Sequence, residues 1–274
     1  MRKPFFCVAW FAMLSTVALA AGLSSARAQT ETHVKPAESA SLLAAEKSRR
    51  GIHALQRAQE AFGGLGRLQS IKDITRSLKL TDLASGAEAQ ETLQLLSSGA
   101  IRLEAASPLG ETTSFYGGKT AWSVTEIGLD TSLPEWQLKA ARQDLFRQLE
   151  FLVQSDHDPE RSVEFVESDQ VAGRAADVIE ISSPEAGKVR LWIDSASGDV
   201  VKGEYPRIVS RGVGPRVTDF YSDYQWVDKL VRIPVKTHTL SDGQPYIDTI
   251  VVNSKYNQGL RAEDMQKPPS QPAP

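Results

Sequence analysis

Two aspartates in one short stretch have the types and spacing to do chemistry. Residues 189–205 read VRLWIDSASGDVVKGEY, with Asp194 entering a Ser- and Gly-rich turn and Asp199 leaving it. Paired carboxylates can share general acid and general base work when their surroundings push their proton affinities apart. The same residues also make a good turn, because Asp and Ser side chains bond the nearby backbone and Gly accepts positive φ. On the approaching strand, Val189, Leu191 and Ile193 share one face, and Arg190, Trp192 and Asp194 the other. A turn accounts for every residue of the stretch and catalysis only for the aspartates, so the expectation is a structural corner.

Other candidate chemistry is thin. The loop SDHDPE gathers Asp156, His157, Asp158 and Glu160, oxygen-rich enough for a hard cation. Its lone histidine has no partner at metal-ligand spacing, and His33, His53 and His238 are scattered. The loop reads as a solvated acidic segment, with metal binding left open. GGKT at 117–120 lacks the glycine of a phosphate loop, since Thr113 occupies that place, and reads as a hairpin turn. GGLGRL at 63–68 follows a helix and lacks the third glycine of a dinucleotide loop, so it reads as a helix stop. No G-x-S-x-G elbow is present. The expectation is a protein without catalytic residues, metal or cofactor, and not an enzyme.

The elements that would position a site are clearer. A helix is expected from about Glu38 to Phe62, and a second from about Pro134 to Val153. Between and after them the apolar period is two. Leu78, Leu93, Leu95, Ile101 and Leu103 fall on single faces of successive strands, and TSFYGGKTAWSV forms a hairpin carrying Phe115 and Trp122. Turns recur at VAGR, SPEAGK, SASGD, RGVGP and SDGQP. The plan is α+β, mainly β: roughly ten strands in one antiparallel sheet that must curl because strands twist. The sheet forms an incomplete barrel with helices covering its concave face. An uncovered apolar face would exceed what a soluble monomer tolerates.

The 274 residues are 41% hydrophobic and 24% charged, an ordinary globular balance, with net charge −3 and no basic patch to suit nucleic acid. The first residues, MRKPFFCVAWFAMLSTVALAAGLSSARAQT, read as a secretory signal over 1–28, cut after Ala28 or after Ala20, or retained as an anchor. Cys7, the sole cysteine, lies inside it, which leaves the mature chain without disulfide or thiolate chemistry. A flexible segment at 29–37, one domain at 38–260 and a disordered Pro-rich tail at 261–274 complete the expected organisation.

The stretch LWIDSASGDVVKGEY followed by FYSDYQWVDKLVRIPVKTHT resembles the second half of LolA-like periplasmic proteins. That group includes outer-membrane lipoprotein carriers and the related domain of the regulator RseB. The likeness lies in the strand ending at Asp194, in Phe220 to Tyr224, and in Val227 to Pro234. Tyr221 is an insertion, and Lys229 replaces the usual glycine. GGLGRLQSIKDI also resembles the opening of one branch. The resemblance implies a periplasmic half-barrel that holds acyl chains of a lipid or lipoprotein, with transient membrane contact, as carrier or chaperone. The alternative it implies is an envelope sensor or protein-interaction domain with an envelope protein partner. Candidate lining residues are Leu78, Leu93, Leu95, Ile101, Leu103, Phe115, Trp122, Trp136, Leu145 and Phe146. The ligand, the partner and the oligomeric state are not readable from these residues.

Overall fold

The computed structural model describes residues 36–268, so the expected signal at 1–28 lies outside the described residues. The chain opens with helix α1 (Pro36–Phe62) and the short α2 (Leu65–Gln69). Gly63 and Gly64, with φ of 120° and 95°, end α1 at the double glycine, as the sequence predicts. Six strands follow: β1 (Asp73–Asp82), β2 (Glu88–Leu96), β3 (Ala100–Ser107), β4 (Gly110–Gly117), β5 (Thr120–Thr125) and β6 (Gly128–Asp130). Helices α3 (Glu135–Phe146) and α4 (Leu149–Leu152) and a 3-10 turn at Ser155–His157 come next. The chain then forms β7 (Ser162–Val171), β8 (Arg174–Ser183), β9 (Gly187–Asp194), β10 (Val200–Val209), β11 (Gly212–Val227), β12 (Val231–Ser241) and β13 (Gln244–Tyr256). It ends in α5 (Ala262–Met265).

All thirteen strands join one curved antiparallel sheet that does not close into a barrel. Its order is β6-β5-β4-β3-β2-β1-β13-β12-β11-β10-β9-β8-β7. Each strand pairs with its sequence neighbour except at the centre, where β1 pairs with β13, and at the edges β6 and β7. This topology dictates a strap. The connection from β6 to β7 runs from one edge of the sheet to the other, so it must cross a face, and α3 and α4 lie on that crossing. The sequence suggests one helix over 134–153. The chain instead breaks at Gln148, whose ψ of 118° is extended, and the break turns α4 down against the central strands.

Alternation sets two faces. The inner, helix-covered face carries the main core, in which Leu55 and Phe62 of α1 meet Ile74, Leu95, Ile101, Ile179, Ile181, Leu191 and Ile193. α1 lies on β7, β8, β9 and β12. The outer face carries two smaller clusters. One joins Ala176, Val178, Trp192 and Val201, as the split of Trp192 from Leu191 and Ile193 predicts. The other joins Leu96, Ala100, Phe115 and Trp122 with Met265 of α5.

That last contact corrects the expectation of disorder for residues 261–268 of the tail, while 269–274 lie outside the described residues. The Asp73 carboxylate accepts backbone N–H groups from Gln258, Gly259 and Leu260 at 2.8, 2.9 and 3.2 Å, which turns the chain back after β13. α5 then folds over the outer face. Trp122 donates its indole N–H to the Gln266 carbonyl at 2.7 Å, and Arg102 donates to the carbonyls of Met265 and Lys267 at 3.1 and 2.7 Å. Burying Met265 together with these hydrogen bonds offsets the entropy of ordering a short polar segment.

Candidate functional site

The opening aspartates are structural. Asp194 Oδ1 accepts the N–H groups of Ala196 and Ser197 at 3.0 and 2.7 Å, and Oδ2 pairs with Arg174 at 2.8 Å. Burial alone would raise its pKa. The hydrogen bonds from Ser197 and Ala196, with Arg174, outweigh burial and hold the carboxyl below the usual range. Asp199 forms a two-pronged ion pair with Arg232. The Arg232 guanidinium lies 4.7 Å from the ring centre of Tyr224, whose hydroxyl donates to the Val200 carbonyl at 2.7 Å. Each carboxylate is committed to a separate partner, and the two share no reacting position.

The acidic loop is likewise engaged. Asp156 accepts from Gln59 of α1 at 2.7 Å, and Asp158 pairs with Arg161 at 2.9 Å. Among the described residues no three His, Cys, Asp or Glu side chains gather as a metal site. Two depressions of about 460 and 410 Å3 flank the turn Ser195–Ser197. The larger is lined by His53, Gln56, Arg57 and Glu60 of α1 together with the turn, and the smaller by Arg174 and Asp194. Both are open surface clefts, and no α3 residue lines either.

The inner face between α3 and the sheet is built differently, and it changes along the strands. Toward one end Ile74, Leu95, Ile101 and Tyr116 are buried, and Phe146, Leu149 and Leu152 fill the space above them. This half of the expected hollow is solid. Toward the other end the same faces of β1, β2 and β3 carry Leu78, Leu80, Ala89, Leu103 and Ala105, which are only half-buried. Leu138, Ala141 and Leu145 of α3 are half-buried apolar neighbours of the core. The inner apolar surface is therefore less covered at this end of the sheet.

The strap above this surface is held by polar groups. α3 buries two side chains, Gln143 and Phe146. Gln143 donates to the Pro206 carbonyl on β10 at 2.8 Å, and Arg142 donates to the Tyr116 hydroxyl on β4 at 2.9 Å. Arg147, just past α3, pairs with Asp144 at 2.9 Å, reaches Asp219 at 4.0 Å and lies 5.1 Å from the Tyr205 ring centre. Asp219 also accepts the Thr239 hydroxyl at 2.7 Å. Glu91 faces the same region from β2. Burial raises its carboxyl pKa, and Arg147 pulls partly the other way. Below, Glu150 of α4 is buried between Arg76 of β1, with which it forms an ion pair, and the Tyr256 hydroxyl at 2.8 Å. Burial disfavours the Arg76 charge, but Glu150 and Tyr256 outweigh it and keep the guanidinium firmly protonated.

The structure separates the ten candidate lining residues. Leu93, Leu95, Ile101 and Phe146 are buried in the main core, with Leu103 and Leu145 packed at its edge. Leu78 is half-buried on the same inner face. Trp136 is half-buried in the first turn of α3. Phe115 and Trp122 lie on the outer face, their rings stacked 5.9 Å apart beneath α5, so they are corrected out of the inner surface. The sequence reading missed Arg76, Gln143, Arg147, Glu150 and Asp219. Their one sequence signal is a charged or amide group at a position that the apolar period assigns to the interior, as in ITRSLKL and RQLEFL.

No family model matches the chain, and no curated protein matches it. Solved structures do. A domain assigned to outer membrane lipoprotein sorting, from Vibrio parahaemolyticus, is 11% identical, covers 80% of this chain and 97% of its own, and superposes with a TM-score of 0.52. A DUF1329 family protein from Desulfovibrio piger is 8% identical over 80% and 97%, with a TM-score of 0.52. A LolA superfamily protein from Nitrosomonas europaea is 14% identical over 79% and 97%, with a TM-score of 0.51. At such identity the likeness speaks for architecture alone. With the one-sheet topology and the strap across its inner face, it gives the chain a LolA-like fold.

Proposed function

We propose that the protein is a secreted periplasmic, non-enzymatic binder of lipid or lipoprotein acyl chains, acting as a carrier or chaperone. One observation carries this reading: half-buried apolar residues Leu78, Leu80 and Leu103 of the sheet and Leu138 and Leu145 of α3 share the inner face, and polar contacts from Arg142 and Gln143 help to hold α3 there. A helix that covers an apolar sheet permanently would bury an apolar stripe of its own. α3 buries only Phe146 of its apolar stripe fully and leaves Leu138, Ala141 and Leu145 half-buried, so its cover is partial, and we infer that it lifts to uncover Leu93, Leu95 and Ile101. Removing an acyl chain from water is worth about 0.8 kcal/mol per CH2, on the order of 10 kcal/mol for a sixteen-carbon chain. Displacing the strap offsets part of this, which a carrier needs in order to release its cargo.

Titration of the purified protein with a fluorescent sixteen-carbon fatty acid tests the reading. We expect saturable uptake. Leu78→Asp and Leu103→Asp are expected to weaken it at least about tenfold with little loss of stability, because both positions are half-open to water. Trp122→Phe, on the outer face, is expected to leave uptake unchanged. Absence of uptake by the unaltered protein overturns the proposal.

A second reading, an envelope sensor or protein-interaction domain on the same fold, is favoured by the first half of α1. Residues 40–50 are almost wholly exposed, with Leu42 and Leu43 at 62% and 65%. That reading expects partner capture to survive Leu103→Asp.

A further inference from the structure

The two ends of the sheet differ in what their turns display. At one end the turns are Ser97–Gly99, Gly118–Lys119, Ala172–Gly173, Ser195–Gly198 and Asp228–Leu230, mostly small or polar residues. Trp226 at that end leans on Arg67, 5.6 Å from the guanidinium. At the other end the turns or their first flanking residues carry large apolar side chains. Leu109, between β3 and β4, is 94% exposed, and Ile127, between β5 and β6, is 99% exposed. Val213, opening β11, is 78% exposed, and Leu83 and Leu129 are partly so.

Neighbouring contacts hold these turns on one rim. Leu83 donates its N–H to the Tyr246 carbonyl at 2.9 Å, and Arg216 donates its N–H to Asp242 at 2.8 Å. This is also the end where Leu78, Leu80, Ala89, Leu103 and Ala105 open to solvent, since Ile74, Leu95 and Ile101 fill the opposite end. The apolar tips therefore stand at the end where the inner surface is less covered, most of them on its β1–β6 half.

We infer that this rim is a membrane-docking edge: Leu109 and Ile127, flanked by Leu83 and Leu129, insert into a phospholipid bilayer and set the less covered end of the inner surface against it. The tips belong to separate turns, with Glu111, Glu126 and Asp130 among them. A stable protein interface needs a continuous complementary patch of about 800 Å2 on each partner, which scattered tips do not supply. A fluid hydrocarbon phase takes up isolated side chains one by one. The β1–β6 part of the rim has no cluster of Lys or Arg at its tips, so uncharged zwitterionic lipid suffices. The path of an acyl chain from bilayer to inner surface rests on the proposed function, whereas docking itself does not.

Flotation of the purified protein with phosphatidylcholine vesicles tests the inference. We expect binding that is insensitive to salt and falls at least about tenfold in the Leu109→Ser/Ile127→Ser double variant. Val252→Ser, exposed at the mid-strand bulge of β13 and away from the rim turns, is expected to have no effect. An environment-sensitive dye at Ile127→Cys, in a Cys7→Ser background, is expected to shift to the blue on vesicle addition. Absence of binding, equal binding by the double variant, or binding only to anionic vesicles that salt abolishes overturns the inference. So does a double variant whose only change is loss of self-association. Fatty-acid uptake measured without vesicles separates the two ideas, because the double variant is expected to retain it.

Discussion

Replacement of Glu150 by alanine is expected to lower stability by about 3–5 kcal/mol. For a chain of this size that is a fall of roughly 6–20 °C in melting temperature. The Glu150 side chain is 1% exposed and its partner Arg76 is 11% exposed. Removing the carboxylate leaves a guanidinium buried without a counter-charge, and the Tyr256 hydroxyl without its acceptor. The penalty is desolvation of a stranded charge rather than loss of an attraction. The double replacement Arg76→Met/Glu150→Leu is therefore expected to recover most of the loss. Thermal unfolding of the three variants checks this. A Glu150→Ala protein within 1 kcal/mol of the original would show that the pair does not tie α4 to the central strands.

Gly51→Ala is expected to reverse the usual sign of its substitution. Alanine for glycine inside a helix ordinarily stabilises by about 0.5–1 kcal/mol. At Gly51 a Cβ would stand 2.8 Å from the backbone nitrogen of Phe165 and 2.9 Å from the carbonyl carbon of Glu164. Both atoms belong to the backbone of β7, which cannot step aside as a flexible side chain does. α1 must lift from the edge strand, and the expected loss is about 1–3 kcal/mol. Gly66→Ala in α2, where nothing lies within 4 Å, is the control and is expected to be neutral or stabilising. Urea unfolding midpoints decide the matter. A Gly51→Ala protein stabilised as much as the control would mean that α1 does not dock closely on β7.

Legibility in the sequence followed the reach of each signal. The double glycine marked the end of α1 because two positive-φ residues cannot continue a helix. The alternation at Val189, Leu191 and Ile193 placed these residues opposite Trp192, since period two is a local property of the strand. What alternation cannot say is which face looks inward. Apolar character alone places Phe115 and Trp122 on the inner surface, but α5 covers the outer face there and buries them. That cover comes from Met265 inside a tail whose composition suggests disorder. The Lys229 departure from the LolA-like pattern also has a local form, because Lys229 takes positive φ where glycine is usual. The strap followed from topology only once β6 and β7 were known to be the edges. The polar groups that hold it were invisible because each pairs with a residue distant in the chain, as Gln143 does with Pro206.

The most direct measurement of the central claim is the position of a bound acyl chain. A sixteen-carbon fatty acid carrying a photoreactive group near its end can be equilibrated with the protein, irradiated, and its adducts located by mass spectrometry of peptides. The account predicts adducts on the inner faces of β1 to β3, at Leu78, Leu80 or Leu103, and on α3. Adducts confined to the outer face or to α1, or none at saturating probe, would contradict it.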